Sequence, residues 1–156
     1  MNARIDAYST EILPRFVKYI VSADRVLAGS TLPRTTQELV NIRASQINGC
    51  GACLDMHVKE AERAGETPLR IALVAAWRET SVFSDAERAA LELAEQGSRL
   101  ADGSGVTDEA WADAAKHYDV EQLSALVARI SLINAFNRMN VITKQQGGGY
   151  VAGQLD

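Results

Sequence analysis

From Leu123 the apolar residues Leu126, Val127, Ile130, Ile133, Ala135, Phe136 and Met139 return at steps of three and four. That is the spacing of one helical face, not the alternation of a strand. Glycine is absent from Glu66 to Gln96 and from Val106 to Gln146, and the prolines are Pro14, Pro33 and Pro68. Such unbroken stretches favour helices. Thr35 to Glu38, Ser84 to Glu87 and Asp119 to Gln122 each set a capping residue three before a Glu or Gln, and Thr67 precedes Pro68 at a first helical position. Gly29, Gly49, Gly65 and Gly97 read as stops. These marks predict helices near 6–28, 36–47, 50–64, 69–78, 85–99, 107–117 and 120–145, the last being the longest buried one. A loose tail, GGGYVAGQLD, follows. No segment predicts a strand, and no repeat or second domain is visible, so an all-α single domain over residues 1–156 is expected.

Length and charge narrow the function classes. At 156 residues and 47% hydrophobic, the chain buries enough surface to fold without a disulfide or a structural metal. The net charge of −4, with no basic run interleaved with aromatics, excludes the electrostatic footprint of a nucleic-acid binder. No window approaches ~18 uninterrupted apolar residues, and MNARIDAYSTEI lacks the build of a signal peptide. A cytoplasmic protein with no membrane partner is expected. In a reducing cytosol a C-x-x-C pair reads as redox or metal chemistry.

That pair lies in TTQELVNIRASQINGCGACLDMH. Asn48 and Gly49 close one helix, so Cys50 starts the next, where free backbone N–H groups and the helix dipole favour a thiolate. Cys53 follows on the same face, with His57 four residues beyond it. An imidazole beside a thiol can take its proton, and the thiolate can attack an O–O bond or a disulfide. A neighbouring cysteine can trap the resulting sulfenic acid as a disulfide.

Glu38, eleven residues, Cys50-x-x-Cys53, three residues and His57 together resemble the alkylhydroperoxidase D-like (AhpD-like) branch of the carboxymuconolactone decarboxylase family. LVNIRASQINGCGACLDMHVKEAERAGE, AWRETSVFSDAERAALELAE and SLINAFNRMNV are similar to the family as well, and the resemblance covers a core of about residues 36–142. It implies a helical fold, assembly into trimers or hexamers, and peroxide reduction through a dithiol–disulfide cycle. Glu38, His57 and a bound water would relay protons to Cys50 and Cys53. No bound cofactor is implied, only an external dithiol reductant such as a lipoyl group on a carrier protein. Helix-start electrostatics favour Cys50 as the attacking thiol; closeness to His57 and the resemblance favour Cys53. Cys53 is taken as the peroxide-reactive thiol, with Cys50 as the resolving and more exposed one.

Other readings compete with this one. A zinc site on Cys50, Cys53 and His57 lacks a fourth ligand other than Glu38 or the distant His117. By itself, Glu38 could simply close a capping box with Thr35. The alternatives to a peroxidase are a lactone decarboxylase, which does not depend on a cysteine pair, and a non-enzymatic thiol sensor. Trp77 and Phe83 are expected in the core or at a subunit contact, and Asn134, Asn137, Arg138 and Asn140 at buried helix ends or an interface. Helices apolar beyond one face also suit a homo-oligomer.

Overall fold

A computed structural model describes residues 2–6, 9–103 and 105–154, and among these no strand occurs. Seven helices follow in order: α1 (Ile12–Ala28), α2 (Arg34–Asn48), α3 (Gly51–Arg63), α4 (Pro68–Leu73), α5 (Asp85–Ser98), α6 (Asp108–Ala114) and α7 (Val120–Thr143). The all-α expectation holds. The segment read as one helix over 69–78 divides at Leu73, where a 3-10 turn (Val74–Glu79) takes over with a kink at Ala76.

Capping explains most boundaries. Ser84–Glu87 and Asp119–Gln122 form complete capping boxes at α5 and α7, and Thr67 caps α4 ahead of Pro68. The first helix begins at Ile12, not near residue 6. Pro14 therefore falls in the first turn, where N–H groups have no intrahelical acceptor and its missing donor costs nothing. Gly97 does not stop α5, which runs on to Ser98. A Cβ there would lie 2.9 Å from Ile130 Cγ2, so this glycine lets α5 and α7 approach.

The core is organised around α2. Val40 joins Leu93 and Ala94 of α5 and Leu123, Leu126 and Ile130 of α7 in one apolar cluster. Leu39 and Ile42 join Ala61, Val74, Trp77, Phe83 and Leu91 in a second. A third gathers Ala44, Ile133 and both cysteines. On α7 the buried positions 123, 126, 130, 133 and 137 repeat at three and four, as the apolar pattern requires. Buried Arg129 of α7 ties down α1 through Asp24 and reaches Gln37 Oε1 of α2 at 2.7 Å. No helix among the described residues is long and apolar enough to cross a membrane.

The tail is not loose. Gly148 and Tyr150 donate their backbone N–H groups to Asp55 Oδ2 at 2.7 and 3.0 Å, and Lys59 Nζ donates to the Tyr150 carbonyl at 2.8 Å. Buried Glu60 accepts from the Tyr150 hydroxyl and from Gly153 N. At Gly147 a Cβ would lie 2.5 Å from the Gly51 carbonyl oxygen, so only glycine permits this approach to the start of α3. Leu155 and Asp156 of the predicted tail lie outside the described residues.

Candidate functional site

The turn between α2 and α3 places the cysteines. Gly49 adopts φ 65°, a left-handed conformation that suits glycine, and donates to the Gln46 carbonyl, while Cys50 N donates to Ser45 O at 3.0 Å. This pair of bonds is a Schellman closure, which ends α2 and lets the next residue cap α3 at once. Cys50 is that cap, and its Sγ accepts from Cys53 N at 3.3 Å. The two cysteines are joined as a disulfide with Cα atoms 5.4 Å apart. The expectation that Cys50 is the more exposed thiol fails, since the pair are 1% and 3% exposed. Cys50 lies under the α2–α3 turn with Ala44 and Ile133 packed around the pair.

Three asparagines of α7 hold the turn in place. Asn48 Nδ2 donates to Asn134 Oδ1 and Asn137 Oδ1, both at 2.9 Å, and Asn137 Nδ2 donates to Ser45 Oγ at 3.0 Å. These bonds satisfy a buried helix end, as expected of Asn134 and Asn137. Asn140, one turn further, donates Nδ2 to Cys53 Sγ at 3.3 Å. Arg138 turns back onto Asn134.

Glu38 does not close a capping box with Thr35. The cap of α2 is Pro33, so Glu38 falls in the second turn, beyond reach of the helix start. Its Oε2 instead meets His57 Nδ1 at 2.8 Å, its Oε1 meets Arg34 at 2.9 Å, and Asn41 Nδ2 donates to Oε2 at 3.3 Å. Burial raises the Glu38 carboxyl, but the hydrogen bond and charge of His57, with Arg34 and Asn41, hold it below the ordinary glutamate value. An ionised Glu38 only accepts, so the proton between it and His57 resides on Nδ1. In the neutral form of His57 the basic lone pair then lies on Nε2. Glu38 thus sets the tautomer of a histidine one helical turn after Cys53.

The structure brings Glu38 to His57, and Cys50 to Cys53, with both pairs meeting on α3. Asn41 and Asn140 were absent from the sequence reading as site residues. Asn41 carried a signal, lying one turn after Glu38 on the same helix; Asn140, in the family-like stretch SLINAFNRMNV, was expected at a helix end or interface, and nothing local set it against Cys53, 87 residues away. His117 and the cleft beside it, lined by Pro33, Thr36, Ser84 and Tyr118, lie among residues unconnected to this cluster. Among the described residues no group of three or more His, Cys, Asp or Glu is arranged to hold a metal ion.

Residues 14–96 match the model of the carboxymuconolactone decarboxylase family. The chain belongs to the carboxymuconolactone decarboxylase family. It is 40% identical over 141 residues to the uncharacterized protein YdfG of Bacillus subtilis (strain 168), covering 90% of this chain and 94% of that one. A solved structure from Agrobacterium tumefaciens, a protein of unknown function suggested to be the antioxidant defence protein AhpD, superposes with a TM-score of 0.87 at 30% identity. That match covers 96% of this chain and 100% of the other. An uncharacterized peroxidase-related protein of Ralstonia eutropha JMP134, with an alkylhydroperoxidase AhpD core, gives 0.76 at 17% identity over 87% and 72% of the two chains. At that identity the likeness speaks for the fold alone. Within the decarboxylase family, then, this chain has the AhpD-like fold, and its Cys50–Cys53 pair is able to form a disulfide.

Proposed function

We propose that this chain is a cysteine-based peroxidase that reduces organic hydroperoxides or hydrogen peroxide through Cys50 and Cys53. The observation that carries the reading is the oxidised cysteine pair one helical turn before a histidine whose tautomer is fixed by a buried carboxylate. His57 Nε2 accepts the Cys53 proton; the thiolate attacks the O–O bond, and the alkoxide or hydroxide leaves with that proton. The product is a sulfenic acid on Cys53 and an alcohol or water. Cys50 then attacks Cys53 Sγ, the disulfide forms, and water departs. An external dithiol returns both cysteines to thiols and is itself oxidised to its disulfide.

With both sulfurs buried, a slender reductant such as a lipoyl group on a carrier protein suits the site better than a bulky one. A lactone decarboxylase would need neither cysteine. The dithiol cycle fits a cytoplasmic setting, where reducing equivalents are at hand. Oligomerisation into a trimer or hexamer is supported by α1. Its exposed Ile12, Phe16, Tyr19 and Val26, with Ala23 between, follow a four–three repeat along the face turned away from α7. A peroxide-consumption assay with dihydrolipoamide tests the reading: wild type should turn over, and Cys50→Ser and Cys53→Ser should not. No consumption by wild type, or equal consumption by all three, would refute it.

A further inference from the structure

We propose that Asn140 is a catalytic residue that makes Cys53, rather than Cys50, the reactive thiolate by donating its Nδ2–H to Cys53 Sγ. The proposal rests on the dithiol reading above for what the thiolate attacks, and on geometry for which thiol it is. Helix-start electrostatics alone would choose Cys50, and the Asn140 donor offsets that advantage. Cys50 Sγ receives the backbone N–H of Cys53 at 3.3 Å, and Cys53 Sγ receives Asn140 Nδ2 at the same distance. What differs is the rest of the surroundings. From α3 the titratable neighbour of Cys53 is His57, one turn on, backed by Glu38 of α2. From α7 its hydrogen-bonding neighbour is the uncharged Asn140.

Asn140 is well held for this role. Asn137 and Asn134, one and two turns before it, are locked to Asn48 and Ser45 at the end of α2, so α7 is pinned beside the cysteine turn. A disulfide sulfur is a weak acceptor and a thiolate a strong one. The Asn140 bond therefore strengthens when the pair is reduced and Cys53 ionises, which is the sense an activating donor needs.

The test reads ionisation without peroxide. In reduced Cys50→Ser protein, the thiolate absorbance of Cys53 is followed against pH with Asn140, Asn140→Leu and Asn140→Asp. Losing a hydrogen bond to a charged group should raise the Cys53 pKa by about one to two units in Asn140→Leu. Asn140→Asp, which sets a carboxylate against the thiolate, should raise it further. In Cys53→Ser protein the same substitutions should leave Cys50 where it was. If Asn140→Leu does not fold, Asn140→Ser serves in its place. An unmoved Cys53, or equal movement of both thiols, overturns the proposal. A shifted Cys53 in a protein whose wild type consumes no peroxide would sink the peroxidase reading and leave Asn140 its role; turnover with an unmoved Cys53 would do the reverse.

Discussion

α2 makes two unlike sets of contacts. Val40 packs with α5 and α7, and Leu39 and Ile42 pack with Ala61, Trp77 and Leu91, all in apolar clusters, whereas Glu38, accepting from Asn41, meets His57 of α3 and Ser45 meets Asn137 of α7 through hydrogen bonds. The apolar set is held by burial that is non-directional and tolerant of substitutions that keep volume. The polar set is held by hydrogen bonds in which each group needs a particular partner, and an orphaned member costs its full desolvation. The first should therefore answer to mutation mainly in stability, the second mainly in chemistry.

The sharpest contrast comes from Leu126, fully buried in the apolar cluster. Leu126→Ala should lower stability by about 2–5 kcal/mol in denaturant titration, while Cys50 and Cys53 still form their disulfide in the folded fraction. Glu38→Gln should cost less in stability and far more in chemistry. It leaves a neutral acceptor for His57 but removes the carboxylate that fixes the tautomer, and turnover should drop on the order of 10²-fold.

The acid response of Glu38 sharpens this contrast. Because its folded pKa lies below the ordinary value of 4.5, its ionised form stabilises the fold at neutral pH. That contribution is present above the unfolded value and is lost as pH falls through the folded one. The gap in melting temperature between wild type and Glu38→Gln should be widest near neutrality and close as pH falls from the ordinary value of 4.5 through the lower folded one. A gap that persisted or widened in acid would mean that Glu38 is not held ionised.

Smaller effects belong to the edges. Gly147→Ala drives a Cβ onto the Gly51 carbonyl, so the tail should lift from α3 at a cost of about 1 kcal/mol. Exchange of the Gly148, Tyr150 and Gly153 amides should speed up; unchanged exchange would mean the tail does not depend on that approach. Thr35→Ala, at a position that does not cap α2, should stay within about 0.5 kcal/mol of wild type and keep full turnover.

Much of this was legible in the chain, for local reasons. The capping boxes at Ser84 and Asp119 and the turn at Gly49 act over three to five residues, within reach of a sequence pattern. Cys50, Cys53 and His57 share one helix, so spacing alone set them on one stripe. Glu38 was harder. Its partner lies on another helix, and only the start of α2 at Arg34 decides that it faces His57 and not its own helix end. Asn140 meets Cys53 only because α7 packs against the α2–α3 turn, and nothing in its neighbours announces that. The tail was misread because its glycines suggested freedom, while its docking runs mainly through backbone N–H groups that composition does not mark. Asp55 and Glu60, two acids on one helix, were the available sign. The hydrogen bond from Lys59, with the tail amides of Tyr150 and Gly148, takes the Asp55 carboxyl down to about 2.

The central claim is that Cys50 and Cys53 act as one two-electron unit beside a Glu38–His57 base. The most direct measurement adds one equivalent of peroxide to the fully reduced protein and follows free thiols and intact mass together. Two thiols should vanish per peroxide, with a loss of two hydrogens, a Cys50–Cys53 link in the digest and full recovery by dithiol. Sulfinic or sulfonic acid on one cysteine, with the other still a free thiol, would contradict it.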